Sequence, residues 1–214
     1  MSGRMQRWTG ISGLVFVVLI IGSIVAGGGH SPEVKDSGAT VVKYYAHHET
    51  GARVEVYLIA VAVAVAVFFF WQLRTKLVAL SDNFLPNLGF VGAILFMVAG
   101  TLASSIYWAL AEGADHHFDE SSMRTLNILQ GTLPDITSDI GIAVLLFANG
   151  LVIIRNTGLP TWTGWLGVVF GVVSMVLTLD VGLPALGIWM IVICIVLIVR
   201  APAQDSAAEV SEVS

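Results

Sequence analysis

Six stretches of this chain are apolar over 17 or more residues, and none has a lysine or arginine in its interior. They occupy residues 8–26, 54–73, 88–110, 136–154, 162–179 and 183–199. A helix crosses the hydrocarbon core of a bilayer with about 20 such residues, within a range of about 17 to 25. The predicted fold is therefore all-α: a polytopic transmembrane bundle of six spans forming one domain over residues 1–200. Composition agrees. Hydrophobic residues make up 56% of the 214 positions and charged residues 12%, against roughly 25% charged in a soluble chain. So few charges cannot coat a water-facing surface, and the lipid bilayer must solvate the rest.

The second span contains a strand-like pattern, because residues 60–67 alternate strictly between Ala and Val. Both residue types are apolar, so the alternation creates no polar face, and the run continues through Phe68, Phe69, Phe70 and Trp71. Its length decides for helix. Arg4 and Arg7 ahead of the first span, with Ala26, Gly27 and Gly28 behind it, resemble a cleavable leader. The apolar stretch is long for that, and it opens on an interfacial Trp8, so a retained helix is expected.

Basic residues near span ends set orientation. With the N-terminus inside, the inner face holds Arg4, Arg7, Arg74, Lys76, Arg155 and Arg200 on short connections. The outer face holds Lys35, Lys43, Arg53 and Arg124 on two long ones. This predicts both termini in the cytoplasm, the cytoplasmic membrane as location, and a polar, acidic, disordered tail over residues 201–214. The net charge is −5 and the basic residues are scattered, so nucleic acid is not an expected partner. The single cysteine, Cys194, lies in the last span and reads as a small hydrophobe.

The two outer connections carry all five histidines. The first contains His30 and the dyad His47–His48 followed by Glu49, at the end of a segment (41–48) suited to a short interfacial helix. The second contains Asp115, the dyad His116–His117, Asp119 and Glu120, then a short helix expected from Ser121 to Gln130 and closed by Gly131. Imidazole and carboxylate together can ligate zinc or copper. His47, His48, His116, His117, Glu49, Asp115 and Asp119 are the candidate ligands if the two connections meet. No spacing matches a defined metal motif, and the competing reading is a hydrated, interfacial loop.

Polar groups inside the spans are few. Thr132, Pro134 and Asp135 read as a helix start, with Thr132 as cap and Asp135 in the first turn. Asp139 lies one turn deeper and Asn149 deeper still, making a candidate intramembrane polar site. Gly164, Gly167 and Gly171 follow helix-packing spacing, which lets helices approach closely within the bundle or between copies. Midspan histidine and lysine are absent, as are phosphate-binding and nucleophile motifs. Two stretches also share an order of features: His47–His48, Arg74 and Leu85–Pro86 in one, His116–His117, Arg155 and Leu159–Pro160 in the other. That order suggests a parallel repeat.

The outer segment Val41-Val42-Lys43-Tyr44-Tyr45-Ala46-His47, the stretch Gly158-Leu159-Pro160-Thr161-Trp162-Thr163-Gly164-Trp165-Leu166-Gly167 and a final apolar helix ending at Arg200 resemble a group of polytopic actinobacterial membrane proteins classed as a domain of unknown function. The resemblance runs from about Lys35 to Arg200. It implies six helices in the cytoplasmic membrane and no particular activity, and His116–His117 is not part of it.

Three functions remain open. The first is a non-enzymatic structural or accessory subunit with a membrane-protein partner or a second copy. The second is a small-solute transporter lined by Gly92, Gly100, Thr101, Ser104, Ser105, Asp139 and Asn149. The third is an extracytoplasmic zinc- or copper-binding protein.

Overall fold

In a computed structural model, residues 3–28, 31–81, 83–156, 158–176 and 181–213 are described, those at 133–135 and 201–213 by backbone only. His30 falls outside the described residues, and so does the side chain of Asp135. Among the described residues, six helices follow in chain order: α1 Gly3–Ala26, α2 Gly38–Val78, α3 Phe84–Asp115, α4 Glu120–Arg155, α5 Thr161–Val176 and α6 Gly182–Val213. The fold is all-α, as expected. Five helices are long and apolar enough to cross a membrane, and α5, at 16 residues, falls just short of that length.

Each helix packs on its neighbours in the chain, α1 closes the ring against α6, and α4 also reaches α2 and α6. Its span is accordingly the most buried of the five. Phe69 and Leu73 of α2, Ile142, Leu145 and Leu146 of α4, and Leu186 and Trp189 of α6 fill the interior. Large apolar residues such as Ile21, Val98, Ile140 and Ile195 point outward. Facing lipid, they need no cover.

Glycines set the closest approaches. A Cβ on Gly150 would meet the Gly164 carbonyl at 2.7 Å, and one on Gly164 would meet the Gly150 carbonyl at 2.8 Å. Gly171 abuts Ala143 and Phe147 of α4, while Gly167 lies beneath the Trp189 indole. All three glycines of the fifth-span pattern thus face helices of the same chain.

Three helix boundaries differ from expectation. The outer segment 41–48 is no separate helix; it is the first part of α2, joined to the span across a kink at His48 (φ −116°, ψ 15°). Val41, Tyr45 and Ala52 are held by Tyr107, Leu110, Ala111 and Ala114 of α3 and Met123 of α4, and this burial keeps the arm on the bundle. Second, the short helix expected to close at Gly131 runs straight into the fourth span, making one α4. Thr132 does not cap. Its hydroxyl donates back to the Ile128 carbonyl at 2.7 Å, the bond of a threonine inside a helix. Third, α6 carries on past Arg200 through the stretch expected to be a disordered tail.

The two dyads occupy unlike places. His47 and His48 lie within α2, whereas His116 caps the end of α3 and His117 follows it with φ +57°. They are not equivalent positions of two repeats.

Candidate functional site

Both long connections fold over one end of the bundle, opposite the end where α1 begins. The Asn127 amide donates to the carbonyls of Pro32 (3.3 Å) and Glu33 (3.2 Å), and Gly38 lies against the Glu120 backbone. Beneath them sits the small apolar core of α2, α3 and α4 described above. It holds two polar groupings.

The first is ionic. Arg53 Nη2 lies 2.7 Å from Glu49 one turn earlier on α2 and 3.0 Å from Glu112 on α3. The other Glu112 oxygen lies 3.6 Å from His116 Nε2, and the guanidinium stands 5.7 Å over the Trp108 ring. Of the seven candidate ligands, Glu49 and His116 are therefore linked, through Arg53 and Glu112. The guanidinium already occupies the position a cation would take between the two glutamates.

The remaining candidates have local partners. His47 Nδ1 faces the Lys43 carbonyl at 2.8 Å and His48 Nδ1 faces that of Tyr44 at 3.0 Å, leaving one ring nitrogen on each. The His48 ring stacks on Tyr44 at 4.3 Å. Asp119 is the N-cap of α4. Its carboxylate accepts from the backbone N–H groups of Ser121 and Ser122, both at 3.0 Å, and from the Ser122 hydroxyl at 2.6 Å. Those bonds, the Ser122 hydroxyl foremost, hold its pKa below the ordinary carboxylate value. Asp115 ends α3 exposed, and His117 is exposed beside it. Among the described residues no three His, Cys, Asp or Glu side chains converge as a metal-holding group.

The second grouping joins α1, α2 and α3. The Tyr44 hydroxyl donates to the Gly27 carbonyl at 3.0 Å, and the Glu55 carboxyl lies against Gly27 as well. Tyr45 packs edge-on to both Tyr44 and Tyr107. Glu55 is not among the seven candidate ligands, yet the sequence marks it: it is the only carboxylate in the second span, and a carboxylate at that depth is a functional candidate by default.

Deeper in the bundle, Asp139 lies against Gly182 at the start of α6, where the helix dipole favours negative charge. Asn149 is buried on α4 with its amide against Gly89 of α3. The hydroxyls of Thr101, Ser104 and Ser105 each donate to a carbonyl one turn back on α3, at 2.8, 2.8 and 2.9 Å. Thr101, Ser104 and Ser105 thus line one cleft between α2 and α3 beside Trp108, while Asp139 and Asn149 sit at other helix contacts. Comparison of the chain with protein-family models, with curated proteins and with solved structures gives no match.

Proposed function

We propose that this protein is a non-enzymatic, multi-pass subunit of a larger membrane complex, acting as a structural or accessory element. The observation that carries this reading is the filled interior, where Phe69, Leu145, Leu146 and Trp189 meet without exposure to solvent. The hydroxyls of Thr101, Ser104 and Ser105 line one cleft between α2 and α3, but each donates to its own helix backbone and the rest of the cleft is Val56, Ile59, Ala60, Val63 and Trp108. The groove between α4 and α5 is lined by Ile136, Ile140, Phe147, Val172 and Met175, with Asp139 and Ser174 the polar residues in an otherwise apolar wall. Such a surface suits lipid or a neighbouring helix better than a polar solute.

Copurification in mild detergent from cells expressing the protein near its native level tests the reading. A specific membrane-protein partner is the expected result, and a single species with no partner overturns it. The excess of basic residues near the termini supports a cytoplasmic-membrane orientation with both ends inside. Cysteines introduced as Ser31→Cys and Ser206→Cys read this out, because Cys194 is buried. An impermeant maleimide added outside labels residue 31 and spares residue 206 if the orientation holds.

A further inference from the structure

The end of the bundle where α1 begins and the α6 span finishes has two polar atoms without a partner among the described residues. Gln6 is 1% exposed; its Nε2 donates to the Leu197 carbonyl at 3.0 Å, which fixes Oε1 as an acceptor, and Oε1 is buried and unbonded. Lys76 Nζ is likewise buried and unbonded. A buried donor and a buried acceptor both left open are rare in a folded chain, because each forfeits its hydrogen bonds to water.

Helix register brings the two together. On antiparallel α1 and α2, Gly27 lies against Glu55 and Gly13 lies against Phe69. Carried about two turns further along both helices, the same register sets Gln6 opposite Lys76. Gly13 also touches Cys194 of α6, and the bond from Gln6 to Leu197 marks the corresponding level there. Arg200 stands one turn beyond Leu197 on α6, toward the same end of the bundle. One end of the bundle thus holds Lys76 and Arg200 with an open acceptor, and the carboxylates of this end, Asp82 and those after Arg200, fall outside the described side chains.

Depth identifies the occupant. Trp8 of α1 and Trp71 of α2 are half-exposed a short way toward the membrane centre from Gln6 and Lys76, and exposed tryptophans of this kind sit at headgroup level. A single partner that suits both the cations and the open acceptor is an anion that also carries a hydrogen-bond donor. We propose that Gln6, Lys76 and Arg200 form a binding site for a phosphate-bearing anion, presented as the headgroup of a membrane phospholipid. Phosphate oxygens accept from Lys76 and Arg200, and a headgroup hydroxyl or ammonium donates to Gln6 Oε1.

The test uses the full chain, delipidated in detergent and titrated with short-chain phosphatidylglycerol, phosphatidylcholine or inorganic phosphate. Native mass spectrometry reads the bound lipid, and thermal unfolding reads the effect of phosphate. The wild type is expected to bind phosphatidylglycerol in preference to phosphatidylcholine. Lys76→Gln and Arg200→Gln should each weaken phosphatidylglycerol by about fivefold, the effect of one basic side chain at an anionic surface. Lys76→Arg should retain binding, which separates loss of the site from loss of the fold, and Gln6→Leu should weaken phosphatidylglycerol and leave phosphatidylcholine unchanged. Equal retention of the two lipids by the wild type, or a phosphatidylglycerol preference that survives Lys76→Gln, overturns the proposal. Stabilisation by inorganic phosphate without lipid preference overturns the lipid assignment. A preference that emerges only after residues 201–214 are removed also overturns it, by making the acidic tail the native partner.

Discussion

Arg53 of α2 and Glu112 of α3 meet at 3.0 Å on the face covered by the two long connections, and each is about one-third exposed. The contact joins residues 59 positions apart and extends to Glu49 on one side and His116 on the other. Partial exposure limits its worth. A double-mutant cycle on Arg53→Ala and Glu112→Ala should give a coupling of about 0.2–1 kcal/mol. That coupling should shrink as salt is raised from low to high ionic strength. A coupling unchanged by salt would mean that the pair is held by packing on Trp108, not by charge.

Glycine positions separate sharply by what surrounds them. A Cβ at Gly150 meets the Gly164 carbonyl and the Val168 nitrogen at 2.7 and 2.8 Å, whereas Gly100 and Gly187 have nothing within 4 Å. Gly150→Ala must push α5 off α4 and should cost about 1–3 kcal/mol. Gly100→Ala and Gly187→Ala should be neutral or stabilise by up to about 1 kcal/mol through helix propensity. Thermal unfolding in detergent ranks them, and equal effects at the three positions would contradict the close approach of α4 and α5.

The Asp119 cap makes a prediction in pH. Its pKa is depressed in the folded chain by bonds from Ser122 and Ser121, so the carboxylate binds a proton less readily folded than unfolded. The cap therefore contributes stability above the ordinary carboxylate pKa, and that contribution fades as pH falls through the depressed value. Hydrogen exchange over the first two turns of α4 should be faster in Asp119→Ala than in wild type at neutral pH. The difference should close in acid. Asp119→Asn should lie between them at neutral pH and respond less to acid, and a gap that persists in acid would remove charge from the account of the cap.

The spans could be read from sequence because length and lack of charge suffice to mark a membrane crossing. Helix ends could not, because the local signals are ambiguous: Gly131 and Thr132 suit a helix stop and start as well as they suit a helix interior. The outer arm of α2 depends on Tyr45 fitting against Tyr107, a partner 62 positions away that no local pattern announces. The histidine dyads drew attention to Asp119 as a ligand, although its role is settled by the next three residues. Glu55 escaped notice for the opposite reason. It is one polar residue in an apolar run, and its neighbour Gly27 lies beyond the end of α1.

Trp189 of α6 is fully buried and donates its indole N–H to the Thr163 carbonyl on α5 at 3.1 Å. Close by, Gly167 leaves room for the ring. Trp189→Phe keeps an aromatic ring but removes the donor, leaving a void and depriving the Thr163 carbonyl, inside α5, of its second hydrogen bond. The expected cost is about 1–3 kcal/mol, read as a lower unfolding temperature in detergent. Little change would show that water or lipid can replace the indole at that carbonyl.

The Tyr44 hydroxyl ties the end of α1 to α2 through a single bond, to the Gly27 carbonyl at 3.0 Å. A tyrosine hydroxyl has one proton to donate, and the carbonyl can only accept. Tyr44→Phe strips the Gly27 carbonyl of this donor and should cost about 1–3 kcal/mol. It should also speed hydrogen exchange at the end of α1, around residues 24–28. Tyr107→Phe keeps the ring that packs edge-on to Tyr45 and leaves the bond to Gly27 in place, so exchange at the end of α1 should stay at the wild-type rate. Unfolding temperature and exchange of the two variants, measured side by side in one detergent, test the difference. A Tyr44→Phe protein with wild-type stability and wild-type exchange at the end of α1 would show that the hydrogen bond to Gly27 does not hold α1 to α2.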